Sequence, residues 1–399
     1  MNICLVNNLY PPITTGSSYY TRDLAENMSR LGHNIVVITV NHNHSPFHTI
    51  SDNIHVYRLP SIKLPSLKMW MGFPHFTFSL LPRNMRVFRD ILIDHNIQII
   101  HQCNTIFDLV FASSFWASRL KIPLFCSTTT QIQHLNKTYN LILDYFDRIV
   151  IKFLFSKKVL RYIALDKETE RYISVRYGLS DNVSIVPYSI PTEEDMDQFT
   201  SIDRNYENST FNMISLGHLS ELKNREEFIK AWVHVIKIIP EAKFIIIGKI
   251  MTQSTIKLIE SLGLTSNIII TGFVEHNKIY PFLIDADLGG LFFSSRLPFN
   301  KGFGTANIEL MASGLPVIVN AGDMYFGDKF PIKDGKEFVG YDNHTSKDLA
   351  NLIVHLFQNS RKRRMIGSNA QKFVRDKLKW ENISIELETL YAKSLQSFE

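Results

Sequence analysis

Short apolar runs of strand length alternate with amphipathic helical segments from the first residues onward, the pattern of parallel sheets covered by helices on both faces. Ile3 to Val6 reads as a strand, Gly16 to Leu31 as a helix opening in a Gly/Ser turn, and Asn34 to Val40 as a second strand, one βαβ unit. Further strands are expected at Ile97 to His101, Leu124 to Ser127, Tyr162 to Leu165 and Val183 to Val186. Pro191 to Asn212 is acidic, polar and poor in long apolar runs, and is read as a linker after a first domain of residues 1–190. The alternation then restarts. Met213 to Leu216 begins a second parallel sheet, followed by a helix around Arg225 to Ile239 and strands at Lys243 to Ile247, Asn267 to Thr271, Leu288 to Phe292 and Pro316 to Val319. This places a second α/β domain at 213–375, with a helical tail from Asp348 whose last helix starts at Trp380. Residues 376–399 are expected to pack back on the first domain.

Composition adds bounds rather than identity. A chain of 399 residues exceeds what one core usually supports. With 45% hydrophobic and 20% charged residues it is an ordinary globular protein, neither disordered nor membrane-spanning. Cys4, Cys103 and Cys126 are odd in number, lie among apolar residues and lack metal-ligand spacing, which suits reduced thiols. The opening MNICLVNN has no basic region ahead of an apolar stretch, so a cytoplasmic location is expected. A net charge of +5 favours anionic partners without naming one. The run Arg361 to Arg364 reads as a solvated helix face.

Three stretches carry chemistry. In YPPITTGSSYYTRDLAENMSRLGHNIVVIT, the small residues Gly16 and Ser17 follow a strand and open a helix, where backbone N–H groups can approach a phosphate; a tight turn without a ligand accounts for them equally well. In SLGHLSELKN, Gly217, His218 and Lys223 lie just beyond the first strand of the second domain. In ADLGGLFFSSRLPFNKGFGTANIELMASGLPVIVNAGD, the turn Gly302-Phe303-Gly304 runs into Thr305, Ala306 and Glu309 at the start of a helix.

In this order and spacing the stretches resemble the retaining family 4 group of GT-B glycosyltransferases, over nearly the whole chain. The resemblance implies a GT-B fold, two Rossmann-like domains facing each other across a cleft, with a nucleoside-diphosphate sugar held mainly by the second domain. Gly16 falls on the first glycine of the family's Gly-Gly turn and Ser17 replaces the second. Lys223 matches the lysine that points at the donor diphosphate, where a fixed cation stabilises a leaving group acquiring charge. His218 stands where arginine is expected and substitutes a titratable group for a permanent charge. Glu309 matches a carboxylate that accepts from ribose hydroxyls. Gly302 to Ala306 would offer helix-start N–H groups to sugar and phosphate oxygens, and Gly272-Phe273-Val274 would pack the base.

The pattern also departs from the family. Lys301 reverses the charge of the first glutamate in the family's pair, which implies an anionic partner: a donor sugar bearing a carboxylate, or the diphosphate itself. Thr129 or Thr130 occupies the family's histidine position after the strand beginning at Pro123, and His134 or His101 could serve the site instead. Tyr188-Ser189-Ile190 replaces Asn-Gly-Ile. By resemblance the reaction moves a hexose-type sugar to an acceptor hydroxyl with retention, needing no metal and no cofactor beyond the donor. A glycan or lipid-linked acceptor of bacterial surface polysaccharide or glycolipid synthesis is the expected context. From Ser61 to Arg89, aromatics mix with Lys63, Lys68, Arg83, Arg86 and Arg89, a composition suited either to an anionic bilayer surface or to a packed crossover loop. Arg148 to Arg161 is a second such stretch. No nucleic-acid-binding fold is visible. A nucleotide-sugar 2-epimerase and a GT-B-like binding protein without turnover are the rival readings.

Overall fold

The structure, a computed structural model, describes all residues except 14, 43, 66–74, 191–196, 200–201, 203–209, 276–277, 295, 300–301, 343–344 and 399, and describes 397–398 by their backbone alone. The chain divides into two compact units. One comprises Met1–Pro191 with Trp380–Glu399, the other Thr192–Lys379.

The first unit is built on an eight-stranded sheet in the spatial order Val183–Ile185, Arg161–Ala164, Leu124–Thr128, Ile99–Gln102, Asn2–Val6, Asn34–Val40, Ile54–Leu59, His48–Ser51. All pairings are parallel except the last, a hairpin between His48–Ser51 and Ile54–Leu59. The order turns back at Asn2–Val6, with later strands added on one side and Asn34–Val40 on the other. The helix Gly16–Arg30 is capped by Thr15, whose side chain accepts from the Ser18 amide at 3.3 Å. Its Tyr20, Leu24, Ala25 and Met28 form one buried stripe at helical spacing. Trp380, Ile383, Leu387 and Tyr391 of the helix Trp380–Phe398 recur every three or four residues and enter the same core.

The core of this unit contains a polar chain. The Tyr20 hydroxyl meets Ser127 Oγ at 2.7 Å, Ser127 Oγ meets His101 Nε2 at 2.7 Å, and His101 Nδ1 bonds the Tyr391 hydroxyl. His101 is therefore not the site histidine that its strand-end position suggests. It is fully buried, and burial pushes its pKa down to about 3, so it stays a neutral ring joining two strands to two helices.

The second unit carries a six-stranded parallel sheet in the order Ile268–Gly272, Lys243–Ile247, Asn212–Leu216, Leu288–Gly290, Val317–Val319, Val339–Gly340. In chain order this is 3-2-1-4-5-6, the doubly wound arrangement whose ligands gather beyond the carboxyl ends of the strands where the order reverses. That point lies between Asn212–Leu216 and Leu288–Gly290. The Met213, Phe228, Trp232 and Phe244 side chains fill the core beneath it. On the helix Ser360–Lys377 the basic run is a solvated face at Arg361, Lys362 and Arg364, and only Arg363 departs from that reading. Arg363 is buried, donates to the carbonyl of Leu356 at 2.6 Å and to that of Phe357, and lies 3.7 Å from Asp287.

Candidate functional site

In the second unit three adjacent strands end in glycines with left-handed or unusual backbone: Gly217 at φ +103°, Gly248 at φ +154° and Gly272 at φ +76°. Gly248 is required by close approach to backbone, and Gly217 by its positive φ. A Cβ on Gly248 would collide with the Gly217 carbonyl, and one on Gly217 with Lys223 Nζ. Lys223 begins a two-residue strand, Lys223–Asn224, that pairs antiparallel with Phe292–Phe293 just past the fourth strand of the sheet. The pairing holds its ammonium against the end of the first strand. There the Lys223 pKa is pushed down to about 8, by burial first and by Arg225 second, while Glu309 draws it partly back up.

Arg225 is the residue that sequence reasoning missed. Its side chain is 2% exposed and donates to three successive carbonyls, His218 at 3.0 Å, Leu216 at 2.9 Å and Gly217 at 2.6 Å. Burial works against its charge, and the three charge-assisted bonds hold it. His218 is exposed, and its pKa is lowered by partial desolvation, then by Lys223, Lys249 and Arg225. Four cationic or titratable groups thus repel one another around one strand end, with the Glu309 carboxylate in electrostatic reach of Lys223. Such a cluster is stabilised by an anion.

The turn Gly302-Phe303-Gly304 lies beside it. Gly302 adopts φ +114° and donates its N–H to Asn320 Oδ1 at 3.3 Å; a Cβ there would strike the Tyr325 hydroxyl. Gly304 adopts φ +58°, and its Cβ would lie 2.6 Å from Phe293 Cζ. Phe303 is buried against Tyr325, Phe326 and Phe338 and pins the turn. The helix Gly304–Ala312 starts here with no cap bond from the side chain of Phe303 and no acid in its first turn, so its first N–H groups present their partial positive charge. Glu309, half-buried, follows on the same helix. Lys301 lies outside the described residues. Past the third strand, Gly272 has open space where a Cβ would be, Phe273 is 69% exposed and Val274 is half-buried.

The first unit carries a separate constellation at the carboxyl ends of Asn2–Val6, Ile99–Gln102 and Leu124–Thr128. Ser17 Oγ accepts from the amides of Asn7 at 3.0 Å and Asn104 at 3.1 Å, and Thr129 Oγ1 lies 3.4 Å away while donating to the Cys103 carbonyl at 3.1 Å. Asn7 and Asn104 were not singled out from sequence, although Asn7 immediately follows a strand and Asn104 comes two residues after one. They fix the entry of the helix Gly16–Arg30 at its Gly16 end, which is exposed with open space around it. His134 sits apart from this network. Its Nδ1 accepts from the Asn136 amide at 2.8 Å and its ring stands edge-on to Tyr139, at the start of the helix Lys137–Phe146.

Two family models together span most of the chain: Glycosyltransferase Family 4 over residues 14–194 and Glycosyl transferases group 1 over residues 199–373. The chain belongs to the group 1 glycosyltransferases of family 4. This glycosyltransferase is 24% identical to the alpha-monoglucosyldiacylglycerol synthase of Acholeplasma laidlawii, over 98% of its own length and 96% of the relative's. It is 21% identical to the phosphatidylinositol N-acetylglucosaminyltransferase GPI3 subunit of Saccharomyces cerevisiae, over 79% and 67% of the two chains. Its fold is GT-B. The crystal structure of Anabaena HepE in complex with UDP superposes with a TM-score of 0.67 at 16% identity, covering 98% of this chain and all of that one. Among the described residues, no helix of the glycosyltransferase is long and apolar enough to cross a membrane.

Proposed function

We propose that the protein transfers a sugar from a nucleoside diphosphate to the hydroxyl of a lipid-linked acceptor, with retention at the anomeric carbon and without a metal ion, in bacterial glycolipid or surface-polysaccharide synthesis. The observation that carries this reading is the convergence of Lys223, Arg225 and His218 on one strand end beside the helix start at Gly304. A diphosphate would neutralise the cluster and accept from the helix N–H groups. In the transfer the bond from the sugar's C1 to the phosphate oxygen breaks and one from the acceptor oxygen to C1 forms. The acceptor's proton leaves to the departing phosphate or to water.

The negative charge that develops on the leaving oxygen is greatest at the transition state, where Lys223 and the helix start act most strongly. Glu309 suits two neighbouring ribose hydroxyls, and the exposed ring of Phe273 suits the flat face of a base. The lipid-linked acceptor rests on the likeness to the alpha-monoglucosyldiacylglycerol synthase and to the phosphatidylinositol N-acetylglucosaminyltransferase subunit.

The test is turnover. Incubation of the protein with UDP-sugars and diacylglycerol-type or polyprenyl-linked acceptors, with chelator present, should give a glycolipid whose new linkage keeps the donor's anomeric configuration by NMR. An inverted linkage would remove the retaining reading. Free epimerised sugar without acceptor would replace transfer by epimerisation.

A further inference from the structure

We infer that the helical segment Lys137 to Lys158 is a bilayer-docking surface that inserts its apolar face into an anionic lipid headgroup layer. The segment runs as an α-helix over Lys137–Phe146, a π-helical turn over Asp147–Ile151, and short helical turns over Lys152–Leu154 and Ser156–Lys158. Its inward side is a single line at four-residue spacing, Leu143, Asp147 and Ile151, all buried. Asp147 acts as a polar pin: its carboxylate accepts from the Tyr172 hydroxyl and from the Tyr177 hydroxyl at 2.8 Å, and Arg176 pairs with Asp144 one turn earlier. The π-helical turn widens the helix where this pin is drawn inward.

The remaining surface is the reverse of what an exposed helix ordinarily shows. Leu141 is 69% exposed, Tyr145 67%, Phe153 54% and Leu154 53%, and Ile142, Phe146 and Ile149 are also exposed. Seven large apolar side chains in fourteen residues make a contiguous exposed patch, which in a soluble domain marks a contact surface. Charge identifies the occupant. Lys137, Arg148, Lys157 and Lys158 are exposed along the same segment, whereas its two acids are withdrawn, Asp147 into the core and Asp144 into pairs with Arg148 and Arg176. Lys157 Nζ stands 4.3 Å over the Phe153 ring, the pairing of cation and aromatic that sits at a headgroup boundary. Apolar rings with flanking lysines and no free acid fit a surface that is oily inside and anionic outside.

The biological use of the surface rests on the lipid-linked acceptor proposed above, but its existence does not. Vesicle binding requires no turnover, so either reading can fail alone.

The test uses the full chain and sedimentation with vesicles of phosphatidylcholine, with or without phosphatidylglycerol. The wild type should partition onto the phosphatidylglycerol vesicles and be released by salt. A variant carrying Leu141→Ser, Tyr145→Ser, Ile149→Ser and Phe153→Ser should lose at least about tenfold in partitioning while keeping its melting temperature and UDP binding. A second variant, Lys137→Gln with Lys157→Gln and Lys158→Gln, should lose preference for the anionic vesicles. Undiminished binding by the first variant would overturn the proposal. So would a wild type that ignores both vesicles, or one that forms a dimer which the first variant abolishes, since a second copy would then cover the face.

Discussion

Lys223 should make donor affinity pH-dependent in a range where few proteins titrate. Its pKa lies at about 8 against an ordinary 10.5, pushed down by burial and by Arg225. That difference corresponds to about 3 kcal/mol by which the empty site disfavours the charge. A bound diphosphate supplies the missing counter-ion, so the lysine is charged in the complex and binding above the free pKa must take up a proton. The direction follows: the cation is present below about pH 8 and lost above it, so affinity for UDP falls as pH rises. From about pH 7.5 to about pH 9 the charged fraction of the free lysine drops roughly eightfold, and the dissociation constant should rise by a similar factor. The terminal phosphate, with a second pKa near 6, is already ionised throughout. The assay is isothermal titration calorimetry with UDP at both pH values, in two buffers of different ionisation enthalpy to count the proton taken up. Lys223→Arg is the control, because a guanidinium stays charged and any ionisation of the base itself appears in both proteins. An affinity that is flat with pH in the wild type, or equally steep in the arginine variant, would refute the placement of Lys223 at the phosphate.

Arg225→Met should lower stability by roughly 3–5 kcal/mol, because three carbonyls at the end of the first strand lose their donor while the side chain's volume is kept; urea denaturation measures it, and an unchanged midpoint would show that water replaces the guanidinium. Gly302→Ala should weaken UDP binding and cost about 2–4 kcal/mol, since φ +114° is strained for alanine and the methyl meets Tyr325. Glu309→Ala should leave the melting temperature in place and reduce nucleotide affinity about tenfold, read by the same calorimetry; full affinity would remove the carboxylate from the ribose. Lys301→Glu tested against glucose-type and glucuronate-type donors separates the two roles its charge suggests, with selective loss for the acidic sugar in one and equal loss in the other.

The sheet-forming segments were legible in the sequence because parallel strands buried on both faces read as unbroken apolar runs; Asn34–Val40 and Lys243–Ile247 are found where their Ile/Val runs place them. Ile54–Leu59 escaped notice because an edge region, half-wet on one face, alternates as IHVYRL, with a flanking hairpin of polar residues. The glycine turn and the Lys223 position were legible as motifs. Arg225 was not, since a cation one residue beyond Asn224 in a run of charges looks like surface, and only the fold shows it curled back onto the strand end. His101 misled in the opposite direction: its strand-end place is that of a ligand group, but Tyr391, contributed by the far end of the chain, closes over it.

That last contact has a consequence for how the protein is made. Tyr391 follows His101 by 290 residues, so the hydrogen bond and the helix bearing it do not exist while the first unit is leaving the ribosome. At about 5–20 residues per second, roughly 15–60 s separate the two partners' emergence. During that interval the groove awaiting Trp380, Ile383, Leu387 and Tyr391 is bare, and the second unit is synthesised in full before the first can be completed. A nascent chain of this glycosyltransferase therefore carries an unfinished, apolar-lined domain throughout the synthesis of its second unit, the state in which a chaperone at the ribosome exit would find it.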